Sequence, residues 1–114
     1  MSIIIYHNPR CRKSRETLQL IQNEGYEPTI HNYLKEPLSR EEIREILKLL
    51  NCKAESLVRK TESLFKDNYK NKELSEEQWI SILVDHPKLI ERPIVVKDDK
   101  AVVGRPPENV MSIL

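Results

Sequence analysis

Cys11 lies in the run Tyr6-His7-Asn8-Pro9-Arg10-Cys11-Arg12-Lys13-Ser14-Arg15, where a short apolar stretch, Ile3-Ile4-Ile5, gives way to a segment with helical spacing. Those neighbours put the thiol at a strand-to-helix turn. There it meets the unpaired N–H groups and positive dipole end of a helix. Arg10, Arg12, Lys13 and Arg15 add positive charge close by in the chain. Both effects favour thiolate over thiol, so the turn reads as a nucleophile in an anion-binding site. His7 and Ser14 share the turn. The histidine could tune the thiolate or satisfy backbone groups. The serine hydroxyl could support the first helical turn or donate to the sulfur, the latter being the preferred reading.

The second cysteine, Cys52, is far from Cys11 and has no metal-ligand spacing, so neither a disulfide scaffold nor a zinc site is indicated. It follows Leu49-Leu50 and reads as a partly buried free thiol, the functional alternative being a resolving cysteine. His31 and His86 are assigned no role.

The elements that must position Cys11 follow from periodicity. A chain of 114 residues is enough for one domain with a single core. Ile3-Ile4-Ile5 suits a strand buried on both faces. A helix with Leu18, Leu20 and Ile21 follows and ends near Gly25, and a second strand is expected within residues 27–33. Ser39 with Glu42, and Ser75 with Gln78, match capping boxes before two apolar-periodic helices, and the second helix should stop before His86-Pro87. Residues 54–69 are weakly patterned and suggest one short helix plus turns. Arg92 to Gly104 reads as a hairpin turning at Asp98-Asp99-Lys100. Arg105-Pro106-Pro107-Glu108 should open a last helix carrying Val110, Ile113 and Leu114. The order is that of an α/β sheet, compatible with a thioredoxin-like mixed sheet and an inserted helical subdomain over about residues 38–90.

Composition narrows the function classes. Charged residues are 32% against 39% hydrophobic, and the formal net charge is +1, as in an ordinary soluble globular protein. A nucleic-acid binder usually shows a strongly basic stripe, which this balance does not support. No apolar run reaches membrane-spanning length and Met1 leads almost directly into a strand, so a cytoplasmic protein is expected.

Three separated motifs carry a resemblance. The run from His7 to Leu18, the segment Leu57-Val58-Arg59-Lys60, and Glu91-Arg92-Pro93-Ile94-Val95-Val96 with Gly104-Arg105-Pro106 resemble the glutaredoxin-coupled arsenate reductase family, ArsC-like, over essentially the whole chain. The resemblance implies a thioredoxin-like fold with a helical insertion, and makes Pro93 the candidate for a cis-proline facing the cysteine. It makes Cys11 the nucleophile, His7 the upstream histidine, and Arg59, Arg92 and Arg105 the arginines that hold the oxyanion. Planar, permanently charged guanidinium groups suit that task. Ser14 stands where C-x-x-C redox proteins, and some related Spx-type regulators, have a second cysteine. The implied function is reduction of arsenate or a similar oxyanion by a single cysteine. Glutathione would be the co-substrate and glutaredoxin the partner, with no bound cofactor or metal. Two other functions are compatible with the resemblance: a Spx-like transcription regulator binding RNA polymerase, and a thiol oxidoreductase acting on another substrate. Retention of the three arginines, and serine at position 14, weigh toward the enzyme.

Overall fold

The computed structural model of the chain describes residues 2–114. They form two compact units. One comprises the residues up to Glu36 together with Arg92–Leu114, and the other is Pro37–Glu91.

The first unit is built on a four-stranded mixed sheet of β1 (Ile3–His7), β2 (Thr29–Asn32), β3 (Ile94–Lys97) and β4 (Lys100–Val103), in the order β2-β1-β3-β4. β1 runs parallel to β2 and antiparallel to β3, with Ile5 opposite both Ile30 and Val95. Its central position explains the apolar run, because both side-chain rows of an inner strand are covered. The strand continues past Ile5 to His7, since Tyr6 pairs with His31 and Ile94 and His7 with Asn32. Ladder pairing, not hydrophobicity, thus carries the chain to the mouth of the cysteine turn.

Helix α1 (Arg12–Asn23) connects β1 to β2 and buries Ile21 in a core with Ile3, Ile5, Val95 and Val110. It ends in paired bonds, from the Gly25 N–H to the Gln22 carbonyl at 3.0 Å and from the Tyr26 N–H to the Ile21 carbonyl at 3.2 Å. Gly25 has φ +89°, the left-handed conformation such an ending requires. The β3–β4 hairpin turns on Asp98 and Asp99 alone, with Asp98 at φ 55°, and Lys100 already belongs to β4. The last segment, Pro107–Ser112, is a 3-10 helix and not the expected α-helix. Its backbone closes i→i+3 bonds, from the Asn109 N–H to the Pro106 carbonyl at 3.0 Å and from the Ile113 N–H to the Val110 carbonyl at 3.1 Å. It still buries Val110.

The second unit holds α2 (Arg40–Leu50), α3 (Ser63–Asn68) and α4 (Glu76–Asp85). Both capping boxes are formed. The Glu42 N–H donates to Ser39 Oγ at 3.1 Å and the Ser39 N–H to Glu42 Oε1 at 3.0 Å. The Gln78 and Ser75 pair repeats the pattern at 3.2 and 2.8 Å. α4 stops at His86, whose extended φ of −130° is what a residue before proline adopts. Residues 54–69 contain two short helical pieces where one was expected, a 3-10 turn at Ala54–Leu57 and α3. Ile43, Ile46 and Leu47 of α2 and Trp79, Ile80, Ile82 and Leu83 of α4 are buried.

Candidate active site

The cysteine turn is organised by Asn8. Its carbonyl accepts the Cys11 N–H at 3.0 Å and its Oδ1 accepts the Arg10 N–H at 3.0 Å. Asparagine suits such a turn because its side chain satisfies backbone groups two residues on. Cys11 then occupies the N-cap of α1 in extended geometry, where a serine or aspartate oxygen usually sits. The thiol is buried and free.

Four influences compete on the sulfur. Burial, the largest, pushes its pKa up. The Ser14 main-chain N–H, the hydrogen bond and charge of the Arg92 guanidinium, and the Lys13 main-chain N–H oppose it, and together they hold the thiol below its ordinary value. Arg105 adds Nη2 at 3.7 Å from Sγ, and its Nε donates to the Arg92 carbonyl at 2.9 Å. Two arginines from the far end of the chain therefore converge on the cysteine. Pro93 is buried behind a cis Arg92–Pro93 bond, and the Arg105–Pro106 bond is cis as well, which was not anticipated.

Two expectations about the turn are corrected. The side-chain charges of the bases flanking Cys11 in sequence are not among the main influences on its pKa, and Lys13 acts on it through its main-chain N–H. Arg12 instead pairs with Glu16 at 3.2 Å on an exposed helix face, and Arg15 Nη1 donates to the Pro9 carbonyl at 2.9 Å. Nor does the Ser14 hydroxyl serve the sulfur. It lies 2.6 Å from His7 Nδ1 and accepts the Asn8 N–H at 3.0 Å, so the contact of Ser14 with the thiol is through its backbone. His7 is itself buried, and burial followed by the charge of Arg15 lowers its pKa. It enters the site as a neutral ring holding Ser14.

Arg59 belongs to the second unit. There its Nε is 3.4 Å from Glu62 Oε1 and its main-chain N–H donates to the Leu89 carbonyl at 2.6 Å. Cys52, half-buried in the same unit, has its pKa raised by burial and then by Glu76. Among the described residues no group of three or more His, Cys, Asp or Glu could hold a metal ion, and no helix is long and apolar enough to cross a membrane.

Sequence reasoning missed Asn8, although the Asn8-Pro9 pair is a turn signal in its own right. It also missed Thr17, a fully buried hydroxyl on α1. What Cys11, Arg92 and Arg105 form is a nucleophilic sulfur beside two cationic donor groups. Such a set can grip a tetrahedral oxyanion and attack its central atom.

Comparison with known proteins agrees with this chemistry. The model of the ArsC family matches residues 6–113. An arsenate reductase of Haemophilus influenzae is 46% identical over 116 residues, covering all of both chains. The uncharacterized protein YfgD of Escherichia coli K12 is 50% identical over 96% of this chain and 94% of its own. A solved structure of an arsenate reductase from Vibrio cholerae superposes with a TM-score of 0.95 at 44% identity, covering 100% of this chain and 98% of that one. The fold is thioredoxin-like.

Proposed function

Because the chain belongs to the ArsC family, we propose that it reduces arsenate, or a closely similar oxyanion, using Cys11 as nucleophile and outside thiols as reductant. The observation that carries the reading is the convergence of Arg92 and Arg105 on a buried thiol whose pKa is lowered. Arsenate reductase is also what the Haemophilus and Vibrio relatives are named.

The chemistry follows from the groups in place. The guanidinium donors bind the arsenate oxygens and disperse their charge. The Cys11 thiolate attacks arsenic(V), an As–S bond forms, and an oxygen leaves as water after protonation. A glutathione thiolate then attacks Cys11 Sγ. The As–S electron pair goes to arsenic, which departs as arsenic(III), and Cys11 is left in a mixed disulfide with glutathione. Glutaredoxin takes the glutathione in a thiol exchange and restores the Cys11 thiolate. Serine at position 14 leaves the turn without a second thiol to resolve that disulfide, which supports a second thiol arriving from outside.

The test is arsenate-dependent NADPH oxidation coupled through glutathione, glutaredoxin and glutathione reductase. Wild type should turn over, and Cys11→Ser should lose all activity above background. Equal rates for the two would refute the proposal.

A further inference from the structure

Helix α1 carries Cys11 at its N-cap and, further along, the fully buried Thr17. Thr17 Oγ1 donates to the Lys13 carbonyl at 2.8 Å and reaches the Gly104 carbonyl at 3.3 Å. The hydroxyl hydrogen is thus shared between its own helix and the end of the β3–β4 hairpin. Gly104 is pressed into this contact. A Cβ added there would lie 2.7 Å from Thr17 Oγ1, 2.9 Å from Pro93 Cγ and 3.0 Å from Thr17 Cγ2. Close approach, not backbone conformation, excludes a side chain. The Gly104 N–H is also bound, donating to the Pro93 carbonyl at 2.9 Å.

The next residue is Arg105, whose guanidinium faces Cys11 at 3.7 Å. The contacts therefore close a ring, from Cys11 along α1 to Thr17, across to Gly104, and through Arg105 back to the sulfur. Any displacement of Gly104 from α1 is passed to Arg105 over a single peptide unit, and the attraction between cation and thiolate falls with distance.

We infer that Thr17 and Gly104 are positioning residues that set the distance between the Arg105 guanidinium and the Cys11 sulfur. The inference rests on reading Cys11 and Arg105 as one site, and does not depend on arsenate being the substrate. A purely structural role for the same contact would lower thermal stability and leave the titration of Cys11 unmoved.

The experiment measures the pH dependence of Cys11 alkylation by iodoacetamide in a Cys52→Ser background. Gly104→Ala should raise the Cys11 pKa by about half a unit, as expected when a cation retreats by a fraction of an ångström to one ångström. Thr17→Val, which keeps the shape and loses the hydroxyl, should shift it in the same direction by less. Thr17→Ala with Gly104→Ala removes two of the three atoms that the new methyl meets, and should recover part of the shift. In an Arg105→Ala background, Gly104→Ala should produce no additional rise, because the effect runs through the guanidinium. A folded Gly104→Ala protein with wild-type titration would overturn the inference, as would an equal rise with Arg105 absent. Should Gly104→Ala fail to fold, wild-type titration in both Thr17→Val and the Thr17/Gly104 double variant overturns it instead. If these shifts appear in a protein that does not reduce arsenate, the substrate reading falls and the positioning role stands.

Discussion

Arg105 Nη2 lies 3.7 Å from Cys11 Sγ across 94 positions of the chain. The thiol it faces is buried, and burial alone would keep that thiol protonated. The main-chain N–H groups of Ser14 and Lys13 and the Arg92 guanidinium reverse that tendency. The nucleophile is therefore made by the meeting of one helix end with the segments flanking one hairpin.

Alkylation of Cys11 should follow the thiolate, rising with pH through a midpoint below the ordinary thiol value of about 8.5 and levelling off above it. Arg92→Ala should move the midpoint up by about one unit. Arg10→Ala and Arg12→Ala should leave it in place. Shifts of equal size in all three variants would show that the flanking bases matter after all.

Ser14→Ala should separate the hydroxyl from the backbone. It strips a partner from buried His7 and from the Asn8 N–H, a loss of about 1–3 kcal/mol in unfolding free energy. The Ser14 N–H remains, so the Cys11 midpoint should move little. Denaturant unfolding and thiol titration on the same variant decide the matter, and a large rise in the midpoint would place the hydroxyl on the sulfur.

His7 makes stability depend on pH. Its folded pKa is lowered from 6.5, so between that lowered value and 6.5 the unfolded chain binds more protons than the folded one. Stability from this group is fully present above about pH 6.5 and declines as pH falls through the window. Urea midpoints at pH 7.5 and 5.5 should differ more for wild type than for His7→Gln. An identical difference would assign the acid sensitivity elsewhere.

Cys52 should behave as an inert thiol. Burial and Glu76 push its pKa up, so it should be alkylated more slowly than Cys11 at neutral pH. Cys52→Ser should retain wild-type turnover in the coupled assay. A loss of tenfold or more would restore the resolving-cysteine reading.

Much of the fold was legible because its signals are local. The serine and glutamate or glutamine of each capping box bond each other within one turn, Gly25 ends α1 in the conformation only glycine takes easily, and Pro87 stops α4 at His86. The type of the final helix is not legible in the same way, because similar apolar spacing suits i→i+3 and i→i+4 bonding over so short a segment.

By itself the sequence determined a cysteine at a strand-to-helix turn and the helices around it, since apolar spacing and helix-end hydrogen bonds between residues a few positions apart signal those features. Only the tertiary structure decided which charges act on the sulfur and where the Ser14 hydroxyl points. Arg10 and Arg12 are its neighbours along the chain, whereas Arg92 and Arg105 are its neighbours in space. Electrostatic and hydrogen-bond energies depend on distance and direction through space. Those distances are set where β3 pairs beside β1 and Gly104 closes on Thr17.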